Sequence, residues 1–416
     1  MEYTHFNQFN LSDIHDFMHC LKDDAPDNEK SILKVHKMKC DSSNQEYKII
    51  RYDKNFLTSD LIPTYGLCRS IIANADNKVV CFSPPKSLPA DAFINKYPTP
   101  QASEDLVAQE FVEGTMVNVF WDPKIGLSGG WEISTRSIVG ATGRFFNNSN
   151  KTFRDMFLEA AHANNLILES LNKMYCYSFV LQHPENRIVI PFKKPQLYLV
   201  ACYMIEHTID GNVIVASFSH DTIMKNSWTN TTIKFPAIYS FNSYSELIEK
   251  YASMNTSYDI LGVIVKNMAT GERMKIRNPV YEQVRHLRGN QPKLQYQYLS
   301  LRREGRVADF LKYYPEHKKE CSSFRDQVHL FTNMLFANYV SCYIKKEKPL
   351  IEFSTQYRTH MYNIHQIYMN DLKPQNLYVT NSVVIKYVNE MHASLLMYSL
   401  NYNMRKRNVD TVKADV

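Results

Sequence analysis

Few of the side-chain groupings that announce a chemistry are complete in this chain. His15 and His19 stand four apart, which places both imidazoles on one helix face, but no third ligand accompanies them. His360 and His365, five apart, fall on different sides of a helix. No Gly-x-x-x-x-Gly-Lys loop exists to cradle phosphates, and with 12 glycines in the whole chain neither a P-loop nor a Rossmann reading survives. Neither a Gly-x-Ser-x-Gly elbow nor a cysteine-protease signature is present. The eight cysteines, at 20, 40, 68, 81, 176, 202, 321 and 342, make no Cys-x-x-Cys pair and no zinc spacing. They read as reduced thiols of an intracellular protein. Side chains suited to phosphate and base contact are more frequent. Arg302, Arg303, Arg306, Lys312, Tyr313, Tyr314, Lys345, Lys346, Lys348 and the run Arg405-Lys406-Arg407 interleave cations with rings. Such a mixture serves nucleic-acid binding and a solvated helix face equally well.

The elements that would position these groups divide by texture. With 416 residues, 44% of them apolar and 12% aromatic, the chain is long enough for two or three domains with real cores. Its 48 Lys and Arg against 42 Asp and Glu leave a net charge of +6, a mild lean toward a polyanionic partner. No stretch approaches the roughly 20 apolar residues of a membrane span and no signal peptide opens the chain, so a soluble, cytoplasmic protein is expected. Short β-like runs begin near residue 49. Alternating or β-branched segments at 71–73, 78–82, 114–121, 131–135, 175–181, 187–191, 197–205, 213–218, 260–266 and 274–277 predict strands. Helical spacing at 153–171 and 243–251 interrupts them. Beyond about Leu294, long periodic segments such as 321–344 and 383–400 predict an all-helical domain. The expected organisation is an N-terminal segment at 1–60, an α+β domain of antiparallel character at 61–293, and a helical domain at 294–416.

The most specific signal is an ordered series of fragments in the middle. Gln109-Glu110-Phe111-Val112-Glu113-Gly114-Thr115-Met116 is followed by Trp131-Glu132-Ile133-Ser134-Thr135-Arg136-Ser137. Next comes Phe179-Val180-Leu181-Gln182-His183-Pro184-Glu185-Asn186-Arg187-Ile188-Val189-Ile190-Pro191. Leu261-Gly262-Val263-Ile264-Val265-Lys266 and Met274-Lys275-Ile276-Arg277 complete the series. Together with Cys68-Arg69-Ser70-Ile71-Ile72 and Lys86 upstream, it resembles the nucleotidyltransferase motifs of bacteriophage-type ATP-dependent RNA ligases, relatives of DNA ligases and mRNA capping enzymes. The resemblance runs from about Leu61 to Arg285.

That resemblance implies a chemistry and, in the same residues, its loss. In the family a lysine in Lys-x-Asp-Gly attacks the α-phosphate of ATP, and two glutamates assist metal and substrate. Here Phe111 stands in the lysine's place, before Glu113 and Gly114, and Val180 and Leu261 take the places of the glutamates. A phenyl ring is no nucleophile, and aliphatic groups offer magnesium no oxygen. Lys124 lacks both the carboxylate and the strand of a displaced nucleophile. The resemblance assigns basic groups around a nucleotide to Arg69, Lys86, Arg136, Lys266, Lys275 and Arg277, with Phe111 and Glu113 completing the expected nucleotide- or RNA-end-binding set. Phe111 either stacks on a base, such as the methylated guanine of a cap, or closes the pocket. The expected function is therefore a catalytically inactive RNA ligase-like protein that binds RNA, its 5' end, a nucleotide or a cap, requires no cofactor, and is encoded by a large DNA virus acting in the host cytoplasm. Two alternatives stand beside it. One is an active RNA ligase or capping-type nucleotidyltransferase that uses Mg and a displaced lysine; the other is a structural subunit with a vestigial pocket.

Overall fold

The computed structural model describes residues 5–22, 31–100, 105–145, 150–218 and 228–404, so the Arg405-Lys406-Arg407 run lies outside the described residues. The chain divides into two compact units, Met1–Gln283 and Val284–Val416. The first unit carries antiparallel sheets and the described elements of the second are helices, so the chain is α+β.

The strands of the first unit are β1 (His5–Asn10), β2 (Leu33–Cys40), β3 (Gln45–Tyr52), β4 (Ile71–Asn74), β5 (Val79–Phe82), β6 (Leu106–Glu110), β7 (Thr115–Asp122), β8 (Gly130–Ser134), β9 (Tyr175–Gln182), β10 (Gln196–His207), β11 (Val213–Phe218), β12 (Ile238–Tyr239), β13 (Gly262–Asn267) and β14 (Arg273–Arg277). They form three antiparallel sheets, ordered β1-β11-β10-β9-β7-β8, β12-β6-β13-β14 and β2-β3-β4-β5. Strands β1, β2 and β3 thus belong to the sheets of the unit, because β1 pairs with β11, β2 with β3 and β3 with β4.

Side-chain alternation builds the cores. On β7, β9 and β10, Val117, Val119, Tyr177, Phe179, Leu181, Leu197 and Leu199 point to one face and meet Met156, Phe157, Ala160 and Ala161 of the helix Phe153–Ala163. Each fully buried Phe or Leu of that layer contributes roughly 1.5–3 kcal/mol. The helix opens on a capping box, with the Asp155 amide donating to the Thr152 hydroxyl and the Thr152 amide donating to the Asp155 carboxylate.

Most expected strands are observed within a residue or two, with three corrections. The segment 187–191 is a loop, because its amides and carbonyls bond to side chains instead of a ladder: Arg187 Nε donates to the Val189 carbonyl at 3.0 Å and the Val189 amide donates to Glu113. The helix expected over 153–171 ends at Ala163, where Asn164 caps it and Asn165 turns left-handed with φ 55°. The segment 383–400 is two helices, Asn381–Glu390 and Ala393–Leu400, separated where the His392 side chain accepts the Ser394 amide.

The second unit contains helices Leu294–Arg303, Val307–Tyr313, Lys318–Tyr339 and Thr355–Ile367 besides those two. His360 is a core residue there, with Nδ1 at 2.9 Å from the Tyr387 hydroxyl and Nε2 at 2.9 Å from the Ser399 hydroxyl. Among the described residues no helix is long and apolar enough to cross a membrane.

Candidate functional site

The sheet β12-β6-β13-β14 has two faces of opposite character. Leu106, Ala108, Val263, Val265, Met274 and Ile276 pack on one side with Phe93, Tyr244 and Leu247. The register, Lys266 opposite Arg273, Ile264 opposite Lys275 and Gly262 opposite Arg277, places Lys266, Arg273, Lys275 and Arg277 on the other. Phe111, one residue beyond β6, joins that face, its amide donating to the Gly262 carbonyl at 3.4 Å. A Cβ at Gly262, where φ is +136°, would fall on the Ile276 carbonyl oxygen, so the approach of β13 to β14 requires glycine.

Phe111 does not present a free ring. The Lys275 ammonium lies 4.7 Å and the Arg277 guanidinium 5.7 Å from its centroid. The guanidinium contact contributes about 0.5–2 kcal/mol. Val180 and Leu261 are buried, and Val180 lies against the glycine of the first motif, since a Cβ on Gly114 would come within 2.7 Å of it. Among the described residues no group of three His, Cys, Asp or Glu side chains is arranged to hold a metal ion. Neither Val180 nor Leu261 supplies an oxygen to a divalent cation.

Glu113 is engaged with the backbone of the 189–190 loop. It is 3% exposed and its carboxylate accepts the Val189 amide at 2.7 Å and the Ile190 amide at 3.2 and 3.1 Å. Burial pushes its pKa up to about 7 against the opposing pull of those amides and the Tyr281 hydroxyl. Gln182 Nε2 donates to the Glu113 carbonyl at 3.0 Å, and Asn186 Nδ2 donates to the Thr115 hydroxyl at 2.8 Å. The Pro-x-Asn-Arg-Ile-Val element is therefore a brace that holds 113–115 in place, with the Glu113 carboxylate holding the loop.

The basic residues converge. Arg69, Lys86, Arg136, Lys266, Lys275 and Arg277 are joined by Arg273, and the electrostatic influence of each reaches others of the set. Lys275 is depressed to about 6, first by burial and then by Arg273, Arg69, Arg277 and Lys86. Lys266 falls to about 7 through burial and then Arg273. Lys86 is lowered by burial, then Arg69, Lys54 and Arg136, and Arg69 by burial and Arg136, with Tyr52 and Tyr203 opposing. Arg136 also lies over the Tyr52 ring at 5.5 Å, and its carbonyl accepts the Ser70 hydroxyl at 2.9 Å. Among the described residues, no carboxylate makes an ion pair with Arg69, Lys86, Arg136, Lys266, Arg273 or Lys275; Arg277 alone of the seven has one, Glu282 at 2.8 Å. Two like charges 5 Å apart repel by roughly 3 kcal/mol at an effective dielectric of 20, and an anion between them reverses the sign.

Arg273 was absent from the expected set. Its signal was the alternation Arg273-x-Lys275-x-Arg277, which on a strand gives one cationic face. In the helical unit the expected cations and rings are scattered among local partners. Arg306 lies 3.7 Å from Asp309 and Lys345 lies 3.6 Å from Glu347. Lys312 and Lys348 lie over Tyr313 and Phe353 at 5.5 and 4.3 Å. Tyr314, 1% exposed, is core and offers no stacking surface.

No protein-family model matches the chain. A curated RNA ligase of Rhodothermus phage RM378 is 26% identical over 205 residues, 43% of this chain and 45% of that protein, so the chain spans less than half the length of the curated relative it matches. Solved structures of Naegleria gruberi RNA ligase variants also align. One with ATP and Mn has a TM-score of 0.32 at 12% identity, covering 45% of this chain and 54% of that one. Another, with AMP and Mn, has a TM-score of 0.30 at 11% identity, covering 61% and 98%. Over that 205-residue segment the chain is similar to a phage RNA ligase.

Proposed function

We propose that this chain is a non-catalytic member of the RNA ligase-like group that binds RNA through a phosphate-bearing end, or a nucleotide, without a metal ion. The observation that carries the reading is the cation cluster. Lys266, Arg273 and Lys275 share one sheet face within electrostatic reach of Arg69, Lys86 and Arg136, and among the described residues no carboxylate is ion-paired to these six, while Phe111, Val180 and Leu261 stand where the resemblance places nucleophile and metal-assisting groups. A site built to cleave a phosphoanhydride needs acids or a metal to manage the charge that moves. A site built only to hold phosphates needs donors alone, and guanidinium and ammonium groups supply charge-assisted hydrogen bonds. A soluble protein acting in the cytoplasm, of the host if the source is viral, belongs to the same proposal.

One residue favours the second reading, self-nucleotidylation on a displaced lysine. Lys275 lies 4.7 Å from the Phe111 ring and burial holds its amine largely neutral at pH 7. The deciding experiment is incubation with labelled ATP or GTP plus Mg or Mn, followed by denaturing electrophoresis and peptide mapping. The non-catalytic reading expects no label on the denatured chain; an adduct mapped to Lys275 would replace it with the active-enzyme reading.

A further inference from the structure

Arg273 lies outside the motif residues that carry the resemblance, yet it is the most buried of the cations. It is 6% exposed, it faces Lys266 across the β13–β14 ladder, and its Nη2 donates to the Pro85 carbonyl while its own carbonyl accepts the Leu88 amide. It thereby fastens to β14 the short segment that bears Lys86. Its Nε is buried with no hydrogen-bond partner. A buried guanidinium left partly unpaired costs several kcal/mol; Arg69 adds to that cost against the opposing influence of Tyr203 and Tyr52, and Arg273 in turn depresses Lys266 and Lys275.

Resting on the proposed phosphate-binding role, we infer that the pocket selects a polyphosphorylated RNA 5' end over a monophosphorylated one, with Arg273 as the specificity-determining donor for the inner phosphates. A single 5'-phosphate carries at most about two negative charges, fewer than this set of cations can meet. Lys266, Arg273 and Lys275 extend the cationic face along two adjacent strands, and a 5'-triphosphate carries about four negative charges to meet them. The Phe111 ring separates this ligand from a capped one. It is already covered by Lys275 and Arg277, so a cationic methylated guanine stacking there would face the Arg277 charge and displace the Lys275 contact, whereas a bare triphosphate would be attracted by Arg277 and would restore the Lys275 proton.

The test is equilibrium binding, in EDTA, of one short RNA bearing a 5'-triphosphate, a 5'-monophosphate, a cap or a 5'-hydroxyl. It is run with the full chain and with Arg273→Gln, whose fold is checked by thermal melting. The expected result is at least tenfold tighter binding of the triphosphate than of the monophosphate or the capped RNA, reduced to under threefold in Arg273→Gln. Should that variant not fold, Lys266→Gln, on the facing strand, is expected to reduce the same ratio. Equal affinity for triphosphate and monophosphate, with both tighter than hydroxyl, would overturn the inference and leave the phosphate-binding role standing. Equal affinity for all four ends would overturn the role as well.

Discussion

Replacing Lys275 by methionine should stabilise the ligand-free protein, an unusual direction for a substitution in a half-buried strand. In the unfolded chain this amine titrates at an ordinary value of about 10.5, and in the fold burial and the surrounding cations hold it at about 6. Between those values the unfolded state binds the proton and the native state does not, so folding forfeits it. At pH 7 the loss is about 3.5 pH units' worth, on the order of 4 kcal/mol, and at pH 9 it falls to on the order of 2 kcal/mol. Methionine keeps most of the side chain's length and its contact with Phe111 and removes the titrating group. Urea unfolding of wild type and Lys275→Met at pH 7 and pH 9 measures both differences. The sign is fixed by the depressed pKa. Wild-type stability should rise with pH through this window, and the advantage of the variant should shrink as it does. A variant less stable than wild type by 1 kcal/mol or more at pH 7 would mean that Lys275 has a stabilising partner and that the cluster is not frustrated.

The same titrations govern binding. A phosphate ligand restores the proton to Lys275, so its affinity should fall about 50-fold between pH 6 and pH 8, with about tenfold more from Lys266, followed by titration calorimetry in buffers of different ionisation heat. An affinity flat with pH would show that neither amine meets the ligand. Phe111→Lys alone should not form a nucleotide adduct on a denaturing gel, since Val180 and Leu261 still offer the metal no oxygen; ligation by that single variant would show that the acidic groups lie elsewhere. RNA binding should weaken with salt at a log-log slope of roughly −0.7 per single-strand phosphate contacted, whereas a slope near zero would favour a structural subunit.

The site was legible in the sequence where it rests on strand alternation and motif order. Lys266, Lys275 and Arg277 were named through motif order, and the register sets them on one face of the sheet. What the sequence hid was partnership. Nothing in the string Val-Glu-Gly distinguishes a glutamate aimed at a ligand from one that holds the 189–190 amides, a contact between residues some 76 apart. Arg273 escaped for a related reason, since it sits at the strand start beside a turn, where arginines are usually solvated, and only the packing of the 85–88 segment buries it. In the fold, β1 and the β2–β3 hairpin were missed because Leu-Lys-Val-His-Lys-Met-Lys-Cys reads as a polar stretch, and its stability comes from pairing with β3.

The central claim, that this pocket holds phosphate without metal, is tested most directly by titrating a fluorescent 5'-phosphorylated RNA into the full chain in EDTA and again in excess Mg. The account predicts binding in EDTA at least as tight as in Mg, weakened tenfold or more by Lys275→Ala. Binding that appears only when Mg is added, and is indifferent to Lys275→Ala, would contradict it.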